Sequence, residues 1–256
     1  KKAGIYATYL RDDAKGVADS IEETIRLAKE TGVSTLISHF LPIQGYERNY
    51  EEALRRIEAL PAEVDLHFSL YPSSTRVLKL YTFLPNWAQK DDLKVMSLSL
   101  QDEWLRSKIM RDLPKISPED FTVAQAPGNN SLVGYSLAEL RKMYSLKTYE
   151  ETLMKLMLTT NLQGIIFYKN ISEYLIKRAV QSPRSLIASS AASLPDKARV
   201  KTLKPERARA TFTKFLTWIL EDKIVTLEEG IRKITFEPAR KLGLGGRGLI
   251  KNGYFA

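Results

Sequence analysis

Two histidines, His39 and His67, are the only imidazoles in this chain of 256 residues, and there is no cysteine. A thiolate zinc site, a disulfide scaffold and a cysteine nucleophile are therefore excluded, and an imidazole-rich metal centre has at most two ligands to draw on. His39 stands at the end of an apolar run, where a ligand role and a hydrogen-bonded structural role are both open. His67 lies inside Val64–Leu70 and reads as a buried strand residue. Arg11 precedes Asp12 and Asp13, a pair that could hold a cation or lie solvated in a loop. Glu22/Glu23, Glu51/Glu52 and Glu228/Glu229 fall in helical stretches and read as surface carboxylates. The glycine cluster Gly243–Gly248 has neither the spacing nor the lysine and hydroxyl of a phosphate-binding loop. It reads as a helix C-cap and turn.

Charge is unevenly placed. The net charge is +9, and residues 196–256 hold 14 Lys/Arg against 7 Asp/Glu. The densest part is Lys197, Arg199, Lys201, Lys204, Arg207 and Arg209. No interleaved aromatics or recognition module accompany it, so a solvated basic loop and helix start is expected, and a nucleic-acid partner is not. A hydrophobic content of 44% suffices for a core, and 27% charged residues with 11 prolines exclude wholesale disorder. No apolar run approaches the ~20 residues needed to span a bilayer. The first residues carry no signal-peptide core, and the expected location is cytoplasmic.

Apolar runs alternate with amphipathic stretches. Gly4–Thr8, Val33–Ser38, Val64–Leu70, Gly164–Tyr168 and Ser185–Ser189 read as strands. Val17, Ile21, Ile25 and Ala28 mark a helix stopping at Gly32, and Ala53, Leu54, Ile57 and Leu60 mark a second. Further helices are expected at Asp102–Leu113, Ser136–Met143, Tyr149–Leu158, Ile171–Val180, Glu206–Leu220 and Thr226–Ile234. Ser136/Glu139 and Thr226/Glu229 have the spacing of capping boxes. Residues 80–130 read as an irregular insertion. At least five βα steps imply an α/β protein, either an open doubly wound sheet or part of a (β/α)8 barrel.

Several segments, in order over nearly the whole chain, resemble the N-acyl-D-amino-acid deacylases (D-aminoacylases) of the amidohydrolase superfamily. Tyr6-Ala7-Thr8-Tyr9-Leu10-Arg11 is similar to the family's Y-x-T-H-x-R, and Ile37-Ser38-His39-Phe40-Leu41 to its I-S-H-H-K. Tyr71-Pro72-Ser73-Ser74-Thr75 is similar to D-x-Y-P-Y, Leu84-Pro85-Asn86-Trp87-Ala88 to L-P-x-W-A, and Gly134–Glu139 to G-K-S-L-x-E. Ile187-Ala188-Ser189-Ser190-Ala191 falls where the family has I-G-S-D-G, and Leu227–Ile231, Pro238–Leu244 and Arg247–Ala256 resemble its closing segment.

The resemblance implies a partial (β/α)8 TIM-type barrel lacking its first strands and the flanking β-sandwich, spanning residues 1–256 as the carboxyl-terminal part of the family's barrel. It implies zinc as cofactor, with metal ligands at His39 and at Tyr9, where the family has a histidine. Ser190 takes the place of the catalytic aspartate, and Leu41 that of the lysine that grips the substrate carboxylate. Arg11 is kept as a substrate-binding residue. The family's His-Pro-Arg corresponds roughly to Lys204-Pro205-Glu206-Arg207. A phenol near pKa 10 is a poor substitute for imidazole, and a serine hydroxyl cannot act as general base near pH 7. The expected function is metal-dependent hydrolysis of the amide bond of a small acylated amino acid, with an incomplete site and a missing amino-terminal half of the barrel as partner. The alternative is a catalytically inactive relative that binds or scaffolds, with its basic loop facing an anionic partner.

Overall fold

The computed structural model describes residues 4–191 and 202–255. Lys197, Arg199 and Lys201 of the basic cluster lie outside the described residues. In chain order the elements begin with β1 (Ile5–Thr8), α1 (Val17–Thr31), β2 (Ser34–Ile37), α2 (Glu47–Glu58) and β3 (Leu66–Leu70). Next come β4 (Thr75–Lys79), α3 (Leu93–Gln101), α4 (Glu103–Arg111), β5 (Phe121–Gln125), α5 (Leu137–Met143), α6 (Tyr149–Thr159) and β6 (Ile165–Lys169). The chain continues through α7 (Glu173–Val180), β7 (Ser185–Ile187), α8 (Arg207–Leu220), α9 (Leu227–Ile234) and α10 (Phe236–Lys241). The fold is mixed α/β, divided into two compact units.

The first unit gathers the described residues of Lys1–Ser74, Ile171–Ala192 and Glu206–Ala256. Its sheet has four strands in the order β1-β2-β3-β7, every pairing parallel. Parallel pairing needs crossovers, and α1 and α2 supply them between successive strands. α1 forms because Val17, Ile21, Ile25 and Ala28 recur on one face, and that face is buried. It ends where Gly32 takes φ +62° and donates its N–H to the Ala28 carbonyl at 3.0 Å. β3 is buried along its whole length, as expected for a strand covered on both faces. Leu66, Phe68 and Leu70 join Ile37, Phe40, Tyr50 and Ile57 in one core, with the Phe40 and Tyr50 rings stacked at 4.3 Å.

Leu41 also belongs to this core, at 4% exposure. The position expected to face a substrate carboxylate instead holds an apolar side chain that packs inward. At α9, Thr226 caps the helix by accepting from the Glu229 N–H. The reciprocal half of that capping box is missing because the Glu229 carboxylate is taken by Arg232 at 2.8 Å and Lys233 at 3.3 Å. Lys233 is almost fully buried and also donates to the Ser182 carbonyl (2.7 Å) and Ser185 Oγ (3.0 Å), fastening α9 to β7. After α10, Gly243 adopts φ +64° and Leu244 donates to the Ala239 carbonyl at 2.8 Å, the C-cap and turn expected of the glycine cluster.

The second unit comprises Thr75–Asn170 with the described residues of Ser193–Pro205. Its three strands pair antiparallel in the order β4-β6-β5 over a separate core that includes Leu80, Phe121, Leu137 and Met157. β6, read from sequence as one more βα step, therefore belongs to this antiparallel sheet and not to the parallel one. Within 80–130, α3 and α4 are regular helices, N-capped by Asp92 and Asp102. The Ser136/Glu139 capping box forms as expected. Among the described residues, no helix is long and apolar enough to cross a membrane.

Alternation along β3 puts Asp65, His67 and Ser69 on the sheet face opposite Leu66, Phe68 and Leu70. Lys241 of α10 donates to Asp65 Oδ1 at 2.7 Å and to the Asp65 carbonyl at 2.9 Å. Burial works against the Asp65 charge, but hydrogen bonds from Lys241 and Ser34 and the Lys241 ammonium outweigh it and hold this carboxyl below the usual range. His67 Nδ1 lies 3.2 Å from the same Oδ1 without hydrogen-bond geometry. Burial first, then the Lys241 charge, depress the His67 imidazole to about 4.

Two predictions follow from this packing. Because the unfolded His67 binds a proton near 6.5 and the folded one only near 4, its contribution to stability is complete above about pH 6.5 and lost as pH falls towards 4. Denaturant unfolding across that window should show the natural chain losing about 3 kcal/mol more than His67→Gln, and equal losses would contradict the assignment. Arg184 donates to four carbonyls, those of Leu60 (2.9 Å), Pro61 (2.8 Å), Val64 (2.7 Å) and Leu66 (3.0 Å). Arg184→Leu should cost about 2–4 kcal/mol by stranding those acceptors; a loss under about 0.5 kcal/mol would contradict that role.

Candidate active-site cleft

Parallel strands end together, so residues just past β1, β2, β3 and β7 meet at one edge of the sheet. Tyr9, His39 and Ser190 all line a single cleft of about 650 Å³ there, together with Ser38, Ser69 and Ser189. The His39 ring meets Tyr9 edge-on at 5.1 Å and Tyr71 edge-on at 5.9 Å. His39 thus sits between two phenol rings, in the geometry aromatic pairs prefer.

Two of these tips adopt a backbone conformation that L-residues avoid: φ is +58° at His39 and +49° at Ser190. Each costs about 1–2 kcal/mol and persists only where neighbouring bonds enforce it. On the β2 side, Ser38 N–H donates to the Thr8 carbonyl at 2.8 Å and Phe40 N–H to the Ser69 carbonyl at 3.0 Å. On the β7 side, Ala188 N–H donates to the Leu70 carbonyl at 3.0 Å. Arg207 of α8 donates to the Ser190 carbonyl and, at 3.5 Å, to the Ser189 carbonyl, while its guanidinium stacks 5.0 Å from the Tyr71 ring centre. The adjacent Glu206 accepts from Ser73 Oγ at 2.8 Å. The first turn of α8 therefore ties the tips of β3 and β7 together.

Arg11 is not brought to the cleft. Its guanidinium engages the Glu23 carboxylate through Nε (3.3 Å) and Nη2 (2.9 Å), in a second groove lined also by Tyr6, Thr8, Tyr9 and Ser20. The hydrogen bond from Arg11, followed by its charge, holds Glu23 below the usual carboxylate range. Asp12 accepts the Ala14 N–H at 2.7 Å, a local turn role. Sequence reasoning missed three contributors: Tyr71 against His39, Arg207 at the tip carbonyls, and the Lys241–Asp65 pair at the other end of the cleft. The alternation of polar Asp65, His67 and Ser69 with apolar neighbours was the signal available for the last.

As a metal site, the cleft offers one imidazole, a phenol and serine hydroxyls. Among the described residues no Asp or Glu lines it, and no three His, Asp or Glu side chains converge where a metal ion could sit. A divalent zinc ion favours neutral imidazole, carboxylate or thiolate donors, so these residues do not fit it.

No family model matches the chain. A D-aminoacylase from Alcaligenes xylosoxydans xylosoxydans is 26% identical, the match covering 99% of this chain and 44% of that protein. Among solved structures, the N-acyl-D-glutamate deacylase of Bordetella bronchiseptica, complexed with zinc and a phosphonate mimic of the tetrahedral intermediate, superposes with a TM-score of 0.71. That match covers 100% of this chain and 46% of the other, at 20% identity. A D-aminoacylase with a binuclear metal centre gives a TM-score of 0.70 at 23% identity over 99% of this chain and 45% of its own. The chain thus spans a little under half the length of these proteins. In sequence the chain is similar to a D-aminoacylase, and in fold to D-aminoacylases and an N-acyl-D-glutamate deacylase, matching the carboxyl-terminal part of their chains.

Proposed function

We propose that this chain forms the carboxyl-terminal strands of an amidohydrolase-type (β/α)8 barrel. In this reading its cleft binds a small N-acylated amino acid without assembling a metal-activated water from the residues described. The observation that carries the reading is the side-chain set at the strand tips, in which the imidazole of His39 is packed between the Tyr9 and Tyr71 rings where a metal centre needs several convergent donors. Zinc bound in such a barrel acts as a Lewis acid that lowers the pKa of a water. Here Ser190 offers a hydroxyl in place of a carboxylate, so it neither takes a proton from water near pH 7 nor returns one to a leaving amine. What these residues can do is bind: the hydroxyls of Ser69, Ser189 and Ser190 and the imidazole of His39 offer donors and acceptors to an amide and its carboxylate.

A polypeptide supplying further barrel strands is the second partner in this reading. It is supported by the position of β1 at the sheet edge, with Tyr6 and Ala7 exposed. A nucleic-acid partner is not part of the reading, and the location stays an expectation of a cytoplasmic protein.

The experiment is metal analysis of the purified full-length protein together with zinc titration of a double variant. The natural protein should carry well under one zinc per chain, and Tyr9→His with Ser190→Asp, which adds an imidazole and a carboxylate, should raise zinc affinity. Near-stoichiometric zinc with deacylase turnover in the natural protein, or an affinity unmoved by the double change, would overturn the reading.

A further inference from the structure

We draw no further inference here: the strongest candidate, the exposed apolar patch of Val95, Leu98 and Trp104 on helices α3 and α4 of the second unit, carries nothing because nothing in the structure shows what covers it.

Discussion

Parallel pairing of β1, β2, β3 and β7 is the constraint on which the site depends. Strands that run in one direction deliver their carboxyl ends to one edge, and whatever residues follow them are forced into company. Tyr9, His39, Tyr71 and Ser190 are far apart in sequence, yet the registers bring them to one rim. The residue types found there then decide what the rim can do. The strand tips here gather phenol rings, serine hydroxyls and one imidazole.

The rim is held under tension from several sides. Two non-glycine residues in left-handed conformation, at His39 and Ser190, would relax if their carbonyls and amides were not engaged. Adjacent strands engage one tip, and the first turn of α8, through Arg207 and Glu206, engages the other two. At the far end of the cleft, Lys241 draws α10 onto β3 through Asp65. The cleft is thus bounded by bonded elements at both ends and apolar between them.

Much of the parallel unit was legible in the sequence because its signals are local. The four-and-three spacing of Val17, Ile21, Ile25 and Ala28, the stop at Gly32 and the short strands bounded by turns each specify an element without help from the rest. The direction of strand pairing is not local: the apolar run of β6 fits a parallel strand as well as an antiparallel one, and only its partners β4 and β5 decide. α3 was overlooked although Asp92 caps it, because its serines blur the apolar stripe. Leu41, where the resemblance places a lysine, lies two residues past His39 at a point where the chain has already turned into the core. At Glu229, two cations outbid the helix N-terminus for one carboxylate.

This sequence holds two histidines, and comparison with His39→Gln assigns the resonances at the strand tips, with buried His67 as an internal control. The decisive measurement is the NMR spectrum of the His39 ring nitrogens in the full-length protein during titration with one equivalent of zinc at neutral pH. If aromatic packing has replaced metal coordination, the His39 signals keep their position and line width throughout. A zinc-dependent shift of an His39 ring nitrogen, saturating at one equivalent, would contradict the account.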